Sequence, residues 1–424
     1  MDRLTMAEFT PQPSCADPQD QQSLSVEEAR AQIEQLLTPV SSWQKLALRE
    51  ALGHILHAPV ISPLQVPPHN NSAMDGYAIH SGDMQADSYS LRLVGTAFAG
   101  QPYQGPVARG ECVRIMTGAM MPPECDTVIM QEHVEVNGEQ ITVHGDHQPG
   151  QNVRIAGEDI QQGQTVLPAG HRIMPADMGL IASLGIGEIR VKRKIRVAFF
   201  STGDELRSIG EPLEAGQIYD SNRYTLYGML KRLDADVLDM GVIPDEKAAL
   251  KNALAQAAAE ADVVITSGGV SVGDADYVKE MLAELGQVNF WKIAMKPGRP
   301  LAFGKINDAL FFGLPGNPVS VMVTFYQFVQ PALKKMAGEN AHPLPLMQVE
   351  TDSRIRKRPG RFEFQRGILF EDESGRLKVN TTGQQGSGIL RSMSVANCFI
   401  LLDEYCDGIE PGTLVTVQPF AGLV

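Results

Sequence analysis

The chain has 424 residues and a formal charge of −14 from 36 basic and 50 acidic side chains. That length implies about three or four domains, and so acidic a chain is a poor general binder of nucleic acid or of anionic membrane. The five cysteines (Cys15, Cys112, Cys125, Cys398 and Cys406) are scattered with no CxxC pair, which points to a reduced, cytoplasmic compartment rather than a disulfide framework.

The first 22 residues are polar and rich in Pro and Gln. They have no apolar run for a leader and are expected to be a disordered tail. Ser25 and Glu28 then form a capping box, with Val26, Ala29 and Ile33 at helical spacing behind it. A second helical stretch is expected over 42–51. From about 67 to 191 glycine and proline are frequent and apolar runs are short, so this region is β-rich. Asn137-Gly138 marks a hairpin. The polar stretch Asn70-Asn71-Ser72-Ala73-Met74-Asp75-Gly76 reads as a turn by default. The pairs His54/His57 and His144/His147 have no Cys nearby, and read as solvated or core histidines.

From Lys194 strands and helices alternate. Strands are expected over 195–201, 237–243, 263–267, 289–293, 301–305 and 310–314. Helices are expected after the cap Asp220-Ser221-Asn222, after Pro244-Asp245, from 277 and from 318 to 336. That order gives a mostly parallel sheet covered on both faces. Residues 309–333 carry no Asp, Glu, Lys or Arg. The Pro315-Gly316-Asn317-Pro318 turn cuts this run into pieces shorter than the roughly twenty apolar residues a membrane span needs. After 345 the chain is β-rich again, a small barrel or sandwich.

Ligands of such sheets sit beyond the strand C-terminal ends. Glu205, Asp245 and the loop from Ser267 to Asp276 all follow such ends. Ser267-Gly268-Gly269 offers uncovered backbone N–H groups, and the next helix start adds positive potential, so the loop suits an anion. Its carboxylates, Asp274 and Asp276, fit if a divalent cation bridges them to a phosphate. The loop also fits a strand-to-helix turn with Asp276 as N-cap.

With these residues laid out, the chain resembles the molybdopterin molybdenumtransferase (MoeA) family, to which the C-terminal half of gephyrin is related. The resemblance rests on NSAMDGYAI, IMTGAMMP, PGQNVRIAGEDI, STGDEL, DSNRY, TSGGVSVGDADYVK, AMKPGRPLAFG, FGLPGNPVS and RFEFQRG in this order. Beyond the tail over 1–22, which matches nothing in the family, it implies a multidomain α/β and β protein: an N-terminal helical and β-rich region over 23–190 with an inserted β domain at about 63–155, a central three-layer α/β/α molybdopterin-binding domain with a mostly parallel sheet over 194–337, and a small all-β domain over 346–421.

The implied reaction takes adenylylated molybdopterin and molybdate to the molybdenum cofactor and AMP, with Mg²⁺. The implied assembly is a homodimer with a shared cleft, in contact with other proteins of molybdenum cofactor biosynthesis. Acidic active-site positions match Glu205, Asp245 and Asp276, which would serve the metal. In the β-rich half they match Asp75, Asp159 and Thr117, which the partner subunit would bring. Substrate contacts match Ser267, Gly268, Gly269, Ser271, Asp274, Lys292, Lys296, Arg299, Pro315, Pro318, Arg366 and Ser387. The family often has Lys at Arg299, and Arg361 is a neighbour similar in character to Arg366. Two other activities fit parts of the pattern: transfer of AMP onto molybdopterin, and a gephyrin-like scaffold.

Overall fold

The computed structural model describes residues 23–420 except 86, 269–281, 283 and 341–343. The chain forms two compact units. One comprises the described residues up to 44, residues 53–55, and everything from 192 on; the other comprises 45–52 and 56–191.

The first unit opens with helix α1 (Val26–Leu36). Ser25 Oγ accepts the Glu28 N–H and the Glu28 carboxylate accepts the Ser25 N–H, so the expected capping box is present. Its central sheet contains β1 (Arg196–Thr202), β2 (Asp236–Ile243), β3 (Val263–Ser267), β4 (Gly286–Lys292), β6 (Pro300–Ile306) and β7 (Ala309–Leu314), in the order β2-β1-β3-β7-β6-β4. A short strand β5 (Met295–Lys296) lies outside it. The pairings among β2, β1, β3 and β7 are parallel; β6 runs antiparallel to both neighbours.

Strands β3 and β7 are buried at every residue because helices cover both faces. Val197, Phe199, Val263 and Ile265 face a core with Leu226, Met229 and Leu230 of helix α2 (Ser221–Arg232). Ala198, Phe200 and Val264 face Leu250, Leu254 and Ala257 of helix α3 (Lys247–Glu260). The α1 residues Val26, Ala29 and Ile33 join the first of these cores.

After the Pro315 turn come helix α4 (Pro318–Thr324), a π-helical turn (Phe325–Val329) and helix α5 (Gln330–Met336). Pro331 has no N–H to give the carbonyl four residues earlier, that of Gln327. Arg30 supplies it instead: its Nε donates to Gln327 O at 3.3 Å, and a terminal nitrogen to Gln327 Oε1 at 2.5 Å. Among the described residues no helix is long and apolar enough to cross a membrane.

The chain then forms β8 (Met347–Thr351), β9 (Phe362–Glu371), β10 (Leu377–Thr381), β11 (Cys398–Leu402) and β12 (Leu414–Pro419). They pair in the order β9-β10-β8-β12-β11, and β11 returns to β9. The ring is closed, so the C-terminal module is a barrel and not a sandwich. Strand β5 adds to it alongside β9.

The second unit holds a six-stranded sheet built from residues 76–144. Its hairpin turns at Asn137-Gly138, where Asn137 pairs with Gln140 and Gly138 has φ +62°. A separate core is formed by Leu56, Val60, Ile160, Leu167, Ile181 and Leu184. The helix expected over 42–51 is not formed. Trp43–Ala47 is a strand and Leu48–Glu50 a single 3₁₀ turn. Lys45 binds Glu188, and the Leu48 N–H donates to Gly187 O at 2.9 Å. Tertiary pairing has overridden the local helical pattern.

Candidate functional site

The apolar strands β1 and β3 end in hydroxyls: Ser201-Thr202 and Thr266-Ser267, all buried. Ser201 and Ser267 are neighbours in register and lie on the α2 side of the sheet. The α2 start stands over them. Asp220 caps it, with Oδ1 accepting the Arg223 N–H at 3.1 Å. Asn222 Nδ2 donates to Ser267 Oγ at 2.9 Å and to Gly316 O at 2.7 Å. One amide therefore ties the end of β3 to the Pro315-Gly316 turn. Pro315 is buried beneath this turn, and Pro318 is the first residue of α4.

Gly268 completes the contact. Its N–H donates to Leu314 O at 3.2 Å, its φ is +93°, and a Cβ there would lie 2.5 Å from Thr202 O. Only glycine fits.

Among the described residues three buried polar atoms on this side, Ser201 Oγ, Asp220 Oδ2 and Asn222 Oδ1, have no hydrogen-bond partner, and neither has Thr202 Oγ1 on the opposite face. Such atoms are costly unless something pairs with them, which suits a place kept for a polar ligand. From the sequence Asp220 and Asn222 read as caps and as part of the family segment DSNRY, and Ser201 and Thr202 as the start of STGDEL, with no role at the site for any of the four. The available signal was a run of apolar strand residues closing on two hydroxyls.

Gly269, Ser271, Asp274 and Asp276 lie outside the described residues. Glu205 and Asp245 are both exposed. Thr202 pairs with Ile243, so Glu205 and Asp245 leave the same edge of the sheet, three and two residues beyond that pair. Asp245 is not the α3 cap; Glu246 holds that position without a side-chain bond. Among the described residues no three His, Cys, Asp or Glu gather as metal ligands; the third expected carboxylate, Asp276, is not among them. Hard carboxylate oxygens reachable by water are the donor type that Mg²⁺ takes.

The expected cations follow the outermost strand β4, which runs parallel to β3 and β7, so they leave the same edge of the sheet. Lys292 closes β4 opposite Pro300. Lys296 and Arg299 flank a tight turn in which the Ile293 N–H donates to Arg299 O at 2.8 Å. Gly298 in that turn has φ +97°, and a Cβ would lie 2.5 Å from Thr324 Oγ1 of α4. Lys296 Nζ is 3.4 Å from Glu363 Oε1 on β9.

Arg366 takes a different place from a ligand-facing one. It is 1% exposed. Its Nε donates to Ser392 Oγ at 3.0 Å and a terminal nitrogen to Gly386 O at 3.1 Å. Burial pushes its pKa down to about 10 against the opposing pull of Glu363. Gln385 clamps the Arg366 backbone from both sides, at 2.8 and 3.0 Å. Arg366 thus holds the loop that carries Ser387, whose carbonyl accepts the Val319 N–H of α4 at 3.1 Å.

Within the second unit, Asp75 Oδ1 accepts both the Thr117 N–H and the Thr117 hydroxyl at 2.7 Å. These two bonds, with Arg114 adding attraction, hold the Asp75 carboxyl below the usual carboxylate range. The same neighbourhood is laced to the segment that leads to Asp159. Ala73 N–H donates to Asn152 O and Ala156 N–H to Asn70 Oδ1, each at 2.8 Å. Asp159 is exposed, and its N–H donates to Val66 O at 3.1 Å.

Three family models match the chain. "MoeA N-terminal region (domain I and II)" matches residues 24–185, "Probable molybdopterin binding domain" residues 198–335, and "MoeA C-terminal region (domain IV)" residues 348–420. The molybdopterin molybdenumtransferase of Haemophilus influenzae is 45% identical over 404 residues, which cover 95% of this chain and 100% of that protein. Gephyrin of Dictyostelium discoideum is 35% identical over 88% of this chain and 58% of its own length. A crystal structure of the molybdopterin biosynthesis MoeA protein from Pyrococcus horikoshii is similar with a TM-score of 0.82 at 30% identity, over 94% of this chain and 100% of that one.

Proposed function

The chain belongs to the MoeA family, the molybdopterin molybdenumtransferases, and from that premise we propose that it inserts molybdate into adenylylated molybdopterin, releasing AMP, in the biosynthesis of the molybdenum cofactor. The observation that carries this reading in the structure is the junction at Asn222. It joins two family segments, TSGG and LPGNP, around buried polar atoms that lack partners among the described residues.

In this reading the polar cluster of Ser201, Asp220 and Asn222 takes the N–H and O–H groups of the pterin nucleotide. Gly268, with Gly269 and Ser271 after it, brings backbone N–H groups against the phosphates. Glu205, Asp245 and Asp276 would hold Mg²⁺, which when bound polarises a phosphoryl oxygen and draws off charge as AMP leaves. Lys292, Lys296 and Arg299 attract the molybdate dianion to their turn, and Ser387 offers it a hydroxyl. Arg366 serves by fixing the Ser387 loop. Asp75, Thr117 and Asp159 act in the cleft of a homodimer, each pair of sites being completed by the partner subunit. Asp75, held ionised by Thr117, is suited to orient a donor or a hydrated metal there.

The test offers the purified protein two substrate pairs with Mg²⁺: molybdopterin with ATP, and adenylylated molybdopterin with molybdate. Turnover of the second pair alone is expected. Turnover of the first alone would assign adenylyl transfer instead.

A further inference from the structure

Glu363 stands opposite Lys296 where β5 pairs with β9, and a carboxylate is the wrong charge to find beside a cation meant for an oxyanion. The two differ in freedom. The Lys296 side chain is 49% exposed and the Glu363 side chain 7%. Glu363 Oε2 accepts Gln365 Nε2 at 2.9 Å, and the same amide nitrogen donates to Arg356 O at 2.9 Å. The carboxylate is therefore fixed from behind, and the lysine is the partner that swings. Burying a carboxylate is costly, and this strand pairing does not require one.

We infer that Glu363 is a positioning and specificity-determining residue of the oxyanion site. It holds the Lys296 ammonium beside the Pro297-Gly298 turn and cancels part of its charge. A tetrahedral dianion then gains little from Lys296 alone, and must also reach the other donors of the site to be held. An unpaired lysine would attract sulfate, phosphate and molybdate alike, because charge by itself does not separate them. Partial neutralisation leaves the choice to size and to the number of hydrogen bonds met. The inference rests on the reading of Lys296 as an oxyanion contact.

The experiment uses the full chain with Glu363→Gln, Lys296→Ala and both together. Sulfate binding is measured by calorimetry, and the molybdate half-saturation and maximal rate by AMP release. Glu363→Gln is expected to tighten sulfate binding roughly 1.5-fold to fivefold, the scale of one partly exposed charge pair, and to lower the maximal rate because the ammonium is no longer held. A purely structural pair would lower stability without tightening sulfate. In the Lys296→Ala background, Glu363→Gln is expected to change sulfate binding no further. Should Glu363→Gln fail to fold, Glu363→Asp, which keeps the charge but draws it back by one methylene, is expected to give an intermediate gain. Unchanged or weaker sulfate binding in the foldable variant, with molybdate use weakened by Lys296→Ala, would overturn the role of Glu363 alone. A wild-type molybdate half-saturation in Lys296→Ala would overturn the reading beneath it.

Discussion

Gly268→Ala is the substitution whose cost follows most directly from the geometry. The new methyl would sit 2.5 Å from Thr202 O, about an ångström inside ordinary contact. That oxygen belongs to β1, which is paired on both sides by β2 and β3, so it cannot retreat without moving the sheet. The backbone φ of +93° adds its own penalty. Left-handed strain costs ~1–2 kcal/mol and overpacking ~1–3 kcal/mol, so the first unit should lose about 2–5 kcal/mol. Gly316→Ala is the matched control. It lies across the same junction, but its Cβ would meet nothing within 4 Å, and a change of less than about 0.5 kcal/mol is expected. Thermal unfolding of both variants, read beside AMP release, separates them. Gly268→Ala should melt several degrees lower and lose turnover, whereas Gly316→Ala should keep the wild-type melting temperature. A wild-type melting temperature for Gly268→Ala would refute the close approach of β1 and the Ser267-Gly268 turn.

Asn222→Ala removes both bonds of the junction and should cost about 1–3 kcal/mol while raising the half-saturation for the nucleotide substrate; wild-type values of both would separate Asn222 from the site. Asp75 has its folded pKa lowered by Thr117, so its contribution to stability is complete above the ordinary carboxylate pKa and is lost as pH falls through the lowered folded value. Thr117→Val should raise the Asp75 titration midpoint, followed by carboxyl NMR, towards the ordinary value, and an unmoved midpoint would show that the hydroxyl contributes nothing. Mixing inactive Asp75→Ala chains with inactive Asp276→Ala chains should restore part of the activity if the cleft is shared between subunits. No recovery despite demonstrated subunit exchange would mean that each chain carries a complete site.

Local chemistry made much of the fold legible. The Ser25/Glu28 box, the Asn137-Gly138 turn and the Asp220 cap are each set by residues within a few positions of one another, and all three are present. The stretch 42–51 misled because its helical pattern was outweighed by pairing with a partner some 140 residues away, at Glu188. Arg30 filling the carbonyl that Pro331 leaves open is likewise a long-range event. In the candidate site the strings SGG, LPGNP and MKPGRP mark segments, but a string does not say which side chain faces inward. Arg366 and Glu363 sit three apart in RFEFQRG. The first is spent on the Ser387 loop, while the second, which the sequence reading never singled out, faces Lys296. Asn222 looked like a cap residue because its partners Ser267 and Gly316 are 45 and 94 positions away.

Under the proposed function, AMP release and metal insertion are one coupled event in this chain. The most direct measurement incubates the purified protein with adenylylated molybdopterin, Mg²⁺ and molybdate, and quantifies AMP by chromatography and the molybdenum-dithiolene product by mass. The account predicts one AMP for each metal inserted, and no product without molybdate. AMP released at the same rate with no molybdenum in the pterin would contradict it.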